Sequence, residues 1–214
     1  MYITSFGHSC FKFQDKTGSD AVTLITDPFD KTVGLKLPSG EADIVTISHK
    51  HDDHNNLEAI KGKPFVIDMA GEYDVKDVLI QGVESFHDDK GGAERGKNII
   101  YRITMDDVVI THLGDLGHIL DDKQLEELSG TDVLLIPVGG RFTLDAKKAV
   151  EVIAQIEPRI VIPMHYKTAD SKIDVDGVDK FIKEIGLTPR MEDKLKVEKN
   201  KLPAEEMELV LLNV

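Results

Sequence analysis

Residues 49–54 read His-Lys-His-Asp-Asp-His, three imidazoles in six positions in the pattern His-x-His-x-Asp-His. In an extended segment His49 and His51 project to the same side and can grip one metal ion together. Asp53 and His54 would follow round the turn, placed to hold a second ion a few ångströms away. Imidazole with carboxylate is a ligand set for Zn, Mn or Fe, and it leaves room for a bound water. The alternative, a solvated charged loop, accounts poorly for so ordered a pattern.

Such residues need rigid elements to aim them. Ile44-Val45-Thr46-Ile47 is a β-branched run that stops at Ser48-His49, so the pattern begins where a strand ends. Val108-Val109-Ile110 likewise runs into Thr111-His112-Leu113-Gly114-Asp115. The buried-looking strand Ile160-Val161-Ile162-Pro163 ends at Met164-His165, and 21–26 ends at Asp27-Pro28. Further strands are expected over 1–4, 10–13, 65–67, 78–80, 98–103, 133–137 and 207–212, with a turn at Lys16-Thr17-Gly18-Ser19. The fully apolar run 133–137 suits a strand covered on both faces. Helical spacing marks 121–128, 144–156 (stopped by Pro158) and 175–185, closed by Gly186. Strands first, then strands alternating with helices and no boundary between, give an α/β sandwich: two sheets with helices outside, in a single 1–214 domain. Its strand-end loops are a natural place for a site.

The bulk numbers fit that picture. The 214 residues, 41% apolar and 30% charged, suffice for one sizeable core. The net charge of −13 argues against a phosphate-tracking surface, so a small-molecule substrate is favoured over nucleic acid. One cysteine, Cys10, rules out an internal disulfide and is expected to be buried and inert. Neither a leader nor a run of 18 apolar residues is visible, so the expectation is a cytoplasmic protein that does not enter a membrane, its oligomeric state open.

Other segments add candidates with two readings each. Asp115 between glycines is a ligand or a turn aspartate, and His165 a ligand or a core histidine. His87, in Ser85-Phe86-His87-Asp88-Asp89, is a ligand or a loop residue. The pairs Asp88-Asp89, Asp106-Asp107 and Asp121-Asp122 read as turn or helix-start residues. His112, two residues before the aspartate motif, is expected to turn to the other face, into packing or support.

Taken in order, these motifs resemble the metallo-β-lactamase superfamily, more narrowly its stand-alone metal-dependent hydrolases related to L-ascorbate-6-phosphate lactonase. Gly7-His8-Ser9-Cys10-Phe11 matches the opening hairpin, Asp27-Pro28 the first aspartate motif and 49–54 the metal signature. His87 with Arg95-Gly96-Lys97-Asn98, then Gly114-Asp115-Leu116-Gly117-His118, then Pro163-Met164-His165-Tyr166 match the remaining motifs. The resemblance implies a four-layer αβ/βα sandwich with two divalent metals at one edge, Zn foremost, with Mn or Fe as alternatives. His49, His51 and His87 would hold one metal; Asp53, His54 and His165 the other; Asp115 would bridge. His8, Asp27, His118 and Tyr166 would contact substrate or support the ligands, with His8 and His118 at the rim and plain packing an equal reading for these two.

Such a pair of ions lowers the pKa of a shared water and supplies hydroxide to an ester, lactone, amide or phosphodiester bond. Asp53 would orient that water and accept its proton, and Asp115 would hold the ions together. No Gly-x-Ser-x-Gly elbow competes for the role of nucleophile. Two other readings remain at this point: a nuclease of phosphodiesterase type, and a metal-binding module without catalysis.

Overall fold

The first third of the chain forms short strands, with β3 and β5 buried at nearly every position. In order these are β1 (Tyr2–Gly7), β2 (Cys10–Gln14), β3 (Thr23–Thr26), β4 (Gly40–Glu41), β5 (Ile44–Thr46), β6 (Ile60–Lys61) and β7 (Phe65–Ile67). There follow β8 (Gly71–Val75), β9 (Val78–Phe86), β10 (Lys97–Met105) and β11 (Val108–His112), then α1 (Asp122–Glu127), β12 (Val133–Pro137), α2 (Ala146–Ile156) and β13 (Ile160–Met164). The chain closes with α3 (Val178–Ile185), β14 (Arg190–Glu192), β15 (Leu195–Lys196) and β16 (Glu208–Leu212). The structure is a computed structural model and describes residues 1–15 and 21–214; the expected turn at 16–19 lies outside the described residues.

Two mixed sheets stack face to face. One has the order β15-β1-β2-β3-β5-β7 and the other β14-β16-β13-β12-β11-β10-β9-β8, with β4 and β6 forming a small separate pair. Ile3, Phe13, Leu24 and Ile44 from the first sheet meet Ile103, Ile110, Leu135 and Ile162 from the second in the core between them. The alternate residues Leu134, Ile136 and Val161 face outward onto Ala149 and Val152 of α2 and Phe181 of α3. This two-sided cover explains why 133–137 is apolar at every position. Asp121 starts α1 with a reciprocal capping box, and the Asp145 side chain accepts from Lys148 N to start α2. Gly186 at φ 72° ends α3 in the left-handed conformation that glycine adopts without cost.

The α/β sandwich is the expected one, but its outer layers differ. On the outer face of the first sheet, Ile25, Val45 and Ile47 pack against Phe29, Val33 and Ile60. Among the described residues the cover on that face comes from loops and the 3-10 turn Lys31–Val33, not α-helices. Strands β4, β6, β8, β14 and β15 were not legible because they are short or largely exposed and lack a clean apolar alternation. No helix among the described residues is long and apolar enough to cross a membrane.

Strand direction is what builds the site. β3, β5 and β7 run parallel, and β1 matches them through the antiparallel β2. In the other sheet β11, β12 and β13 run parallel, and β9 matches them through the antiparallel β10. The segments leaving β1, β3, β5, β9, β11 and β13 carry His8, Asp27, His49, His87, Asp115 and His165 in turn. All of these side chains meet at one edge of the sandwich.

One side chain ties the sheets together just below that edge. Tyr101 of β10 is fully buried, and its hydroxyl lies 2.9 Å from both the Ile47 and the Ile67 carbonyl oxygens of the facing sheet. Tyr101→Phe should cost about 1–2 kcal/mol, the loss of one buried donor with its shape retained. Urea unfolding should show a lower midpoint at an unchanged slope; an unchanged midpoint would show that the bridge contributes nothing.

Candidate metal centre

Residues 48–54 are bends and a turn, not the extended segment expected from the spacing. His49 and His51 converge all the same, because the chain curls as it leaves β5. Their rings stand edge to face with centroids 4.6 Å apart, and the His87 ring lies 4.9 Å from His49 and 5.3 Å from His51. One nitrogen from each of the three falls within 4.8 Å of the others, a group able to hold one cation. His49 and His87 are buried and His51 is exposed.

A second group of the same kind contains Asp53, His54 and His165, and also His8. The expected rim position of His8 is therefore wrong. The β1–β2 turn folds the residue inward at φ 55°, and it is buried beside His54 and His165. Asp115 stands between the groups: its Oδ2 is 3.1 Å from His87 Nε2, 3.1 Å from His165 Nε2, 3.3 Å from His54 Nε2 and 4.0 Å from His49 Nε2.

Neighbouring polar groups fix these side chains. Asp27 Oδ2 lies 2.9 Å from His54 Nδ1, which directs His54 Nε2 into the centre. The same carboxylate accepts from Ser48 N at 2.8 Å and Ser48 Oγ at 2.6 Å, and Ser48 Oγ lies 3.0 Å from His49 Nδ1. Asp27 thus orients one histidine of each group. Asn98 Oδ1 accepts from Asp115 N at 2.9 Å, while its Nδ2 donates to Ser85 Oγ and to the Leu113 carbonyl. Ser48 and the role of Asn98 were missed in the sequence; the only available signal was a polar residue beside a ligand motif.

The glycines flanking the Asp115 motif are required by loop packing. A Cβ on Gly114 would stand 2.4 Å from Asn98 Oδ1, and one on Gly117 2.5 Å from Asp88 N. Asp88 staples the 88–95 loop by accepting from the backbone N–H of Lys90, Gly92, Glu94 and Arg95. Burial works to raise its pKa, yet these four donors hold it down at about 2. His112, buried as expected, lies 2.9 Å from the Ser9 carbonyl through Nε2 and accepts from Gly114 N through Nδ1, joining the His8 and Asp115 loops. His118 has both ring nitrogens on backbone, at Phe86 N and the Ile119 carbonyl, so it braces the approach to His87 and does not face the donors. Tyr166 packs against the helix-side core. Cys10 is buried, and burial pushes its thiol well above the ordinary range.

Charge in the centre is unevenly distributed. Burial, reinforced by neighbouring histidines, lowers His49 to about 3 and His8 to about 4, leaving neutral imidazoles with free lone pairs. Burial also opposes charge on His54, but Asp115 and Asp27 on either side raise it well above the usual value. The same burial would raise Asp115, yet His165 and His54 hold it ionised far below the carboxylate range. His49 Nε2 and Asp115 Oδ1 are buried with no hydrogen-bond partner, a costly state that a cation between them would satisfy. The residues therefore fit a metal pair.

A groove of about 580 Å³ opens onto the first group. His49 and His51 line it, with Met69 and Ile99 as apolar groups and Arg95 and Lys97 as basic ones.

The comparisons agree with the geometry. A family described as "Beta-lactamase superfamily domain" matches residues 2–165. A "UPF0173 metal-dependent hydrolase" of Methanospirillum hungatei is 31% identical over 89% of this chain and 93% of its own length. One from Methanopyrus kandleri is 28% identical over 87% of this chain and 94% of its own. Among solved structures, a candidate Zn-dependent hydrolase of the metallo-β-lactamase superfamily from Thermotoga maritima superposes with a TM-score of 0.80. It is 38% identical, covering 99% of this chain and 97% of the other. The metallo-β-lactamase fold protein YhfI of Bacillus subtilis, 13% identical with a TM-score of 0.63 over 99% and 96% of the chains, shows the shared fold alone. The chain belongs to the UPF0173 metal-dependent hydrolase family of the metallo-β-lactamase superfamily.

Proposed function

We propose that this protein uses two divalent cations to hydrolyse an ester, lactone, amide or phosphodiester bond of a small molecule. The observation that carries the reading is Asp115, whose one oxygen reaches histidines of both groups at 3.1–4.0 Å. His49, His51 and His87 would hold one cation, Asp53, His54 and His165 the other, and Asp115 both. Bound there, the pair would lower the pKa of a shared water towards 7 and polarise the scissile carbonyl or phosphoryl oxygen. Zn is the first candidate, and the all-nitrogen and oxygen donor set also suits Mn or Fe.

The chain's own groups supply the rest. The Asp53 side chain is 31% exposed at the border of the centre, where it can orient a water and take its proton. Burial would raise its pKa, but the hydrogen bond to His8 and the charge of His54 keep it low, so it is ionised and able to accept a hydrogen bond from that water. His49 and His51 present the centre to the groove, whose apolar Met69 and Ile99 suit the body of a small substrate. The resemblance to L-ascorbate-6-phosphate lactonase makes lactones the first class to assay, and the net charge of −13 weighs against a polynucleotide.

Three outcomes are expected. Elemental analysis of metal-replete protein should approach two equivalents per chain, and a persistent value near zero would sink the reading. Asp115→Ala should lose at least about a hundredfold in hydrolysis together with metal, while His118→Ala, which only braces a loop, should lose no more than about tenfold. Equal losses at unchanged metal content would place His118 among the ligands. On the pH side, His54 is raised and therefore protonated in the metal-free centre at neutral pH, yet it must be neutral to coordinate. Loading near pH 7 should release the His54 proton and a share from the shared water, so at least about one in total, and affinity should fall on acidification. Calorimetry in buffers of different ionisation heat measures that release, and proton uptake on loading would contradict the assignment.

A further inference from the structure

His8 is held at the centre more firmly than a rim residue needs. Its carbonyl accepts from His165 N at 3.1 Å, and its ring packs 4.3 Å from the His165 ring and 4.7 Å from that of His54. Its φ of 55° lies in the left-handed region, which a non-glycine residue occupies only when its surroundings enforce it. The His8 side chain is 2% exposed, and Nε2 lies 3.1 Å from His54 Nε2 and 3.2 Å from Asp53 Oδ2. His54 Nδ1 is committed to Asp27, so a neutral His54 turns a lone pair towards His8.

Donors bound to one ion at about 2.0–2.2 Å, with angles of 90–110°, lie roughly 3.0–3.5 Å apart. The His8 spacings fall in that interval. So do His54 to Asp115 at 3.3 Å and His165 to Asp115 at 3.1 Å, and His54 to Asp53 at 3.7 Å is close to it. We infer that His8 is a further ligand of the cation assigned to Asp53, His54 and His165, an inference that rests on the two-cation reading above.

The two sites are then unequal. Three imidazoles (His8, His54, His165) and two carboxylates (Asp53, Asp115) make five donors on one side, against His49, His51, His87 and Asp115 on the other. Protein zinc sites are mostly four-coordinate, whereas Mn and Fe readily take five or six nitrogen and oxygen donors. The groove is lined by His49 and His51 and by none of the additional five-donor residues, so substrate enters at the four-donor side. The five-donor side, with His8, His54, His165 and Asp115 buried, is the anchor and the place where metal choice is made.

His8→Asn, which tolerates the left-handed turn but is too short to replace the imidazole, and His8→Gln, which keeps a longer polar side chain, test this in the full-length protein. The readouts are equilibrium titration with Mn and the absorption spectrum of the Co-substituted protein, with circular dichroism as the check on folding. Wild type should bind two equivalents. Both variants should weaken one equivalent at least about tenfold, leave the other unchanged, and shift the Co bands towards lower coordination. Two equivalents with unchanged affinity and bands in either folded variant would overturn the inference while leaving the two-cation reading intact. A wild type that binds fewer than two would overturn both.

Discussion

A carboxylate buried among imidazoles is the constraint from which the rest of this structure follows. Asp115 is 2% exposed, ionised, and faces four histidines from three separate loops. Asp27 is fully buried 2.9 Å from one of them, and burial, which would raise its pKa, is outweighed by His54. A buried charge without a partner costs several kcal/mol. His54, held protonated between the two carboxylates, compensates part of this, while His8 and His49 stay neutral and compensate none. The centre therefore has an excess of lone pairs and negative charge that divalent cations would neutralise. Its affinity for them is a property of the folded chain, set before any ion arrives.

Holding that arrangement requires rigidity from both sheets. The strands that deliver the donors run the same way, and their packed interiors leave little freedom just below the site. His8, Asp27 and His165 all have positive φ, a strain of order 1 kcal/mol or more at each, sustained by the cores beneath. The Asp27–Ser48 pair and Asn98 cross-link loops from different strands. The result is a donor set in which the 49–54 loop, carrying four of the donors, is tied to the loops that carry the others.

The centre was legible in the sequence because coordination chemistry restricts residue types tightly. His49, His51, Asp53 and His54 stand in one segment. Asp115 and His165 follow ends of strands marked by β-branched runs, whereas His87, beyond the expected 78–80 strand, read equally as ligand or loop residue. The fold class was legible for a related reason: 133–137 and 160–163 must be apolar throughout when both faces are covered. What failed was conformation. Imidazole spacing implied an extended 49–51 segment, yet a curled turn brings the same atoms together, because long side chains converge from more than one backbone path. His8 looked peripheral because nothing local signals a left-handed turn at a histidine; its inward aim comes from His165 and the β1–β2 hairpin. Strands such as 71–75 and 190–192 were invisible because edge strands bury too little to impose a pattern.

The distribution of charge round the groove completes the argument. A net charge of −13 gives a field that draws cations towards the chain and repels anions. At the groove the balance changes. Lys50 is paired with Asp68 and Lys97 with Glu84, but Arg95 has no carboxylate partner among the described residues and lies 4.6 Å over the Phe142 ring. The Asp88 staple fixes the backbone that carries Arg95, and Arg95 lines the same groove as His51. Cations bound beneath would add to its charge, because a local divalent charge outweighs distant surface carboxylates. An acidic protein can thus offer a positive groove, and the general repulsion of anions need not reach the place where the chemistry is done.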